Sequence, residues 1–204
     1  MSSFSKISSR LTREVIMLLF TLQASALADW QGRMKITGYS DSKPPVTHIR
    51  EARIYAKPRF QRIDFLGRKS VSIIFDFAKG KTWELDPLKR VAVNNANPQI
   101  VLPYKSCKTS DIKECFKGAK LTGNDVVNGH PCEIYERDTD GKDPVKMKFK
   151  IWHPTDLKEI EAIKYQFFND ERLVGSVEIL DIERAAQDDS LFEVPQNYSI
   201  RTHR

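Results

Sequence analysis

The chain has 204 residues and carries a formal charge of +6, with 33 basic side chains interleaved among 27 acidic ones. That length suffices for one domain with a real core. The dispersed charge, with no arginine-rich block or stacking motif, argues against a nucleic-acid partner.

The first residues read as an address rather than as part of a fold. Lys6, Arg10 and Arg13 precede an apolar run, Val15 to Leu22, that is too short to span a bilayer, and Ala26-Leu27-Ala28 offers the small residues that signal peptidase reads. Residues 1–28 are therefore expected to be a secretory signal peptide cleaved after Ala28, leaving a single domain over 29–204 in the periplasm with no transmembrane segment. No cysteine follows the cleavage point to take a lipid anchor.

From Trp30 the periodicity is two, the spacing of strands with one apolar and one polar face. Trp30–Tyr39, Val46–Ala56, Arg59–Leu66 and Ser70–Phe77 follow one another with turn residues between them. A short strand around Trp83 and Leu85 ends at Asp86-Pro87, and Arg90–Asn94 returns as its hairpin partner. The pattern lapses from Asn95 to Gly118, where Ser110 to Phe116 has room for one or two helical turns. It resumes with Leu121–Val127, the hairpin dipeptide Asn128-Gly129, and Cys132–Arg137. Val145–Trp152 is the most regular strand of all, with Val145, Met147, Phe149 and Ile151 on one side and Lys146, Lys148 and Lys150 on the other. Ile160–Phe168 and Leu173–Glu183 complete the set, and the tail around Leu191, Phe192 and Val194 is expected to dock back onto the sheet. The expected architecture is mainly β: a strongly curved antiparallel sheet forming an unclosed half-barrel of about eleven strands with little helix.

Three cysteines fall in the mature region. In an oxidising compartment the close spacing favours a Cys107–Cys115 disulfide, leaving Cys132 as a buried inert thiol; a Cys115–Cys132 bridge is the alternative. The four histidines are scattered, and no Cys-x-x-Cys or His-x-x-x-His pair is present, so neither a metal nor a cofactor is expected. No nucleophile and base can be nominated, and the chain is not expected to be an enzyme. What remains is apolar surface on a curved sheet. The candidate ligand lining is Met34, Ile36, Phe75, Phe77, Trp83, Leu85, Met147, Phe149 and Ile151, the competing expectation being an ordinary filled core.

Three stretches carry a resemblance: Val127-Asn128-Gly129-His130-Pro131-Cys132-Glu133-Ile134-Tyr135, Trp152-His153-Pro154-Thr155-Asp156-Leu157, and Ser190-Leu191-Phe192-Glu193-Val194-Pro195-Gln196-Asn197-Tyr198. Together with the signal-like start and the meander, the chain resembles the LolA/LolB-like superfamily of periplasmic lipoprotein carriers and receptors. The resemblance implies a half-barrel around an apolar cavity, a lipid or lipoprotein acyl chain as ligand, inner- or outer-membrane envelope proteins as further partners, and a place in outer-membrane lipoprotein sorting or lipid trafficking. It implies no individual functional residue. The alternative is an envelope protein-interaction or stress-sensing module with a filled core.

Overall fold

A computed structural model describes residues 29–40, 46–67, 70–94, 116, 118–138, 147–157 and 159–202. The expected signal peptide, the Cys107–Cys115 pair and, but for Phe116, the helical turns expected at 110–116 lie outside them. Among the described residues, twelve strands form one curved sheet that does not close into a barrel. They are β1 (Trp30–Tyr39), β2 (Thr47–Lys57), β3 (Phe60–Phe65), β4 (Ser72–Asp76), β5 (Lys81–Asp86), β6 (Val91–Asn94), β7 (Lys120–Val127), β8 (His130–Asp138), β9 (Met147–Pro154), β10 (Lys164–Asn169), β11 (Arg172–Arg184) and β12 (Ser199–Thr202).

The spatial order is β12-β6-β5-β4-β3-β2-β1-β11-β10-β9-β8-β7. Two meanders therefore lie side by side, one from each half of the chain, and the first strand pairs with the eleventh at their seam. Every pairing is antiparallel except β12 on β6. The sequence pattern places the first eleven strands. The twelfth escapes it because Ser199-Ile200-Arg201-Thr202 is short, exposed throughout, and made a strand only by the β6 edge it finds. The other departure is at β10, whose ladder begins at Lys164 and not at Ile160. Ile160, Ala162 and Ile163 are fully buried but sit in an irregular corner, so their apolar run records burial and not strand pairing.

The turns obey local chemistry. Asn128 and Gly129 both take left-handed backbone conformations, φ 52° and 84°, as the two-residue loop between twisted antiparallel strands requires. The Asn128 side-chain amide also donates to the Ile179 carbonyl at 2.9 Å, tying this turn to β11. On the seam, Gly32 stands where β11 carries an extra residue. A Cβ there would lie 2.9 Å from the Leu180 carbonyl oxygen, so the two backbones approach too closely for any side chain.

Each face of the sheet has its own core. One face carries the main cluster, built around Met34, Ile54, Ile63, Ile73, Ile151, Tyr165 and Ile179. On the other face of the first meander, Ile74, Leu85 and Ala92 pack against Phe192 of the tail. The tail holds that position through a single 3-10 turn, Asp189–Phe192, capped by the Asp188 carboxylate accepting from the Ser190 amide at 2.8 Å. Arg62 donates to the Leu191 carbonyl at 2.8 Å, and Lys57 pairs with Asp189 at 2.5 Å. The expected docking of the tail is thus realised as a strap that leads the chain from the seam to the far edge.

Candidate functional site

Residues directly opposite on paired strands share a face, so the register reads out the face of the main cluster row by row. The innermost of three consecutive rows contains Ala52, Met34 and Ile179, and the Ile179 amide continues it by donating to the Ile163 carbonyl at 2.8 Å. All four are 0–1% exposed. The next row runs Arg50, Ile36, Val177, Tyr165, Ile151, Tyr135. Its centre is buried, Ile36 and Tyr135 are half-buried, and Arg50 is exposed. The last row runs His48, Gly38, Gly175, Phe167, Phe149, Arg137, and none of its members is buried. The apolar face therefore opens along the strands towards the β1–β2 and β10–β11 turns.

Two glycines face each other in that last row, and they do different things. A Cβ on Gly175 would meet the Phe167 ring at 3.5 Å and the Thr37 carbonyl at 3.3 Å, so the phenylalanine already covers this gap. A Cβ on Gly38 would meet nothing within 4 Å. The row therefore has a gap at Gly38, a pit among the described residues beside Ile36, with Phe167 two strands away in an edge-to-face pair with Phe149 (centroids 5.6 Å apart).

Of the nine lining candidates, Met34, Ile36, Phe149 and Ile151 lie on this face within the three rows, and Met147, half-buried, extends it beyond Phe149. Phe75 and Phe77 pack against the same cluster and stack on each other at 6.0 Å, but at the opposite end, since Phe75 pairs with Gln61 and Gln61 with Ala56. Trp83 and Leu85 do not join them. The β4–β5 register sets Trp83 opposite Ile74 and Leu85 opposite Ser72, which puts both on the reverse face under the tail strap. Alternation alone cannot say which side of a new strand continues the face of the last one; the turn at 77–80 decides it. The glycine pair and the basic residues flanking it were missed, because a gap leaves no hydrophobic signal.

Two polar groupings stand apart from this face. A half-open cavity of about 440 Å³ at the seam is lined by Arg33, Asn128, His130, Leu180, Asp181 and Ile182. Its polar groups pair with neighbours, Arg33 with Asp181 and His130 Nδ1 with the Asp156 carboxylate at 2.9 Å. The His130 contact holds the Asp156 carboxyl below its ordinary range. On the reverse face, Lys150 and Lys164 lie over the Trp152 ring, 5.4 and 4.8 Å from its centroid. Cys132 is a buried free thiol that burial pushes up in pKa. Among the described residues no group of three or more His, Cys, Asp or Glu side chains is placed to hold a metal ion, and no helix is long and apolar enough to cross a membrane.

No family model matches the chain, and no curated protein matches it in sequence. Solved structures match it in fold. The complex of Pseudomonas aeruginosa MucA and MucB aligns with a TM-score of 0.54 at 15% identity, over 89% of this chain and 62% of that one. A separate structure of MucB gives the same TM-score at 12% identity, over 85% and 62%. A LolA superfamily protein from Nitrosomonas europaea aligns at 0.40 and 12% identity, over 81% and 90%. The chain thus spans about three fifths of the MucB chains it matches.

Proposed function

We propose that this chain is a non-catalytic binding protein of the bacterial periplasm that takes an aliphatic chain of a lipid or lipoprotein into the open end of its half-barrel. The observation that carries the reading is the unfilled space among the described residues at Gly38, at the open end of the apolar face and beside half-buried Ile36. Burial of each methylene contributes about 0.8 kcal/mol, so a chain of modest length gains useful affinity with no reactive group involved. The signal-like character of the first 28 residues supports the periplasmic setting. Lipoprotein sorting or envelope lipid traffic is the process such a carrier would serve.

The test is native mass spectrometry of the protein purified from the periplasm without detergent, joined to uptake of a fluorescent fatty acid. A lipid mass that delipidation removes, with fatty-acid binding abolished in Gly38→Phe, is the expected result. A bare mass and no uptake would overturn the reading.

A second reading is a protein-interaction module, and one feature favours it. β2 runs beyond β3, which pairs it only from Ala52 onward, and the overhang exposes Ile49 beside exposed Tyr39. A strand from a partner could add to that edge. MucB, part of which shares this fold, is found in complex with MucA. Crosslinking from Ile49→Cys to an envelope protein, undisturbed by Gly38→Phe, would favour this reading over the first.

A further inference from the structure

We propose that the mouth of the half-barrel selects amphiphiles with an anionic head group, and that Arg50 is the principal contact; this rests on the aliphatic-chain reading above. From β2 to β8 the two rows nearest the mouth hold twelve positions in register. Three of them are basic, His48, Arg50 and Arg137, and none is acidic. The whole chain, by contrast, has nearly balanced charge. All three basic residues are exposed, and they stand at the two flanks of the rows, with the apolar centre between them. Arg50 is directly opposite Ile36, and His48 directly opposite Gly38, so both flank the pit itself.

Among the described residues, the acids near His48 and Arg50 are turned elsewhere or lie beyond the last row. Glu133, further in on the same face, accepts the Tyr135 hydroxyl at 2.6 Å. Glu136 is opposite Lys150 on the reverse face, and Glu51 is opposite Lys35 there. Asp170 and Glu171 sit in the β10–β11 turn beyond the last row, with Arg172 next to them. A chain lying in the pit would place its polar end beside His48 and Arg50. A guanidinium offers paired donors to a phosphate or carboxylate and none of the acceptors that a cationic head group would need. The chemistry therefore fits a phosphate or carboxylate borne on an acyl chain.

Three probes separate the possibilities: lysophosphatidylglycerol, lysophosphatidylcholine with the same acyl chain, both below their micelle-forming concentration, and inorganic phosphate. The anionic lysolipid is expected to bind roughly tenfold tighter than the zwitterionic one at low salt, as one charge-assisted contact implies. The difference should shrink in 0.5 M salt, on the order of a Debye length of 4 Å. Arg50→Gln, an exposed position whose fold circular dichroism checks, should bring the anionic probe down to the zwitterionic level and leave the latter unchanged. Equal binding of the two lysolipids, or no effect of Arg50→Gln, overturns head-group selection while the aliphatic site stands. Phosphate binding as tightly as the anionic lysolipid overturns it too, by showing an anion site independent of the chain. Failure of every lysolipid to bind removes both proposals.

Discussion

The indole N–H of Trp152 donates to the carboxylate of Asp125 at 3.0 Å, a bond that passes over the intervening strand β8 to join β9 to the edge strand β7. β7 is exposed along most of its length, and this contact is one of the few side-chain ties it has to the interior.

The bond has a pH signature. The Trp152 hydrogen bond first, and the Val126 amide second, hold the Asp125 carboxyl below its ordinary value. A depressed carboxylate stabilises the fold above its unfolded-state value, near 3.9, and that stabilisation fades as pH falls below it towards the lower folded-state value. Urea midpoints of wild type and Asp125→Asn should therefore differ at pH 6 and converge on acidification. A constant gap across that range would show that the charge is immaterial.

Tyr135 gives the opposite end of the scale. Burial, and then the hydrogen bond to Glu133, push its phenol up to about 12. The unfolded chain releases this proton near 10, so the fold loses stability as pH rises through the interval between about 10 and 12. Tyr135→Phe should flatten that alkaline slope in a denaturation series, and ultraviolet titration of the native protein should lack one tyrosinate until the fold fails.

The tail strap is anchored at one ring. Phe192 is buried against Ile74, Leu85 and Ala92 and tilts against Phe60 at 5.6 Å. Phe192→Ala should cost about 3 kcal/mol, in the range for an aromatic removed from a core. Phe192→Leu should cost clearly less. Equal midpoints for wild type and Phe192→Ala in chemical denaturation would show that the strap is not part of the cooperative unit.

Two glycines should respond oppositely to alanine. Gly129 has open space around it but a φ of 84°, so Gly129→Ala should lose about 1 kcal/mol through backbone strain alone. Gly38 has open space and a strand conformation, so Gly38→Ala should leave stability unchanged or slightly raised. Thermal melts of the two variants check this; a drop at Gly38 would mean the pit is needed by the fold itself.

Much of this architecture was legible because a two-residue period survives in nearly every strand. Met34, Phe149 and Ile151 could be assigned to an apolar face from their neighbours alone. Asn128-Gly129 announced its turn through the left-handed backbone conformation that both residues tolerate better than most. Trp83 and Leu85 could not be placed, since a strand's alternation is the same whichever face it presents. β12 could not be seen, as four exposed residues acquire their ladder only from β6. Gly38 was silent for a related reason: what distinguishes it is the space beside it, which depends on strands far away in sequence.

The seam between β1 and β11 has a bearing on how the molecule is made. Each meander is assembled from hairpins whose strands are neighbours in the chain, but the seam joins partners as distant as Gln31 and Glu183, 152 positions apart. Closing so long a loop is slow and yields nothing until both sides exist. A chain emerging from a ribosome or a translocation channel must therefore hold β1 with one side unpaired until β11, about 150 residues later, has appeared. In that interval the middle of the finished sheet is a sticky border, open to any passing strand.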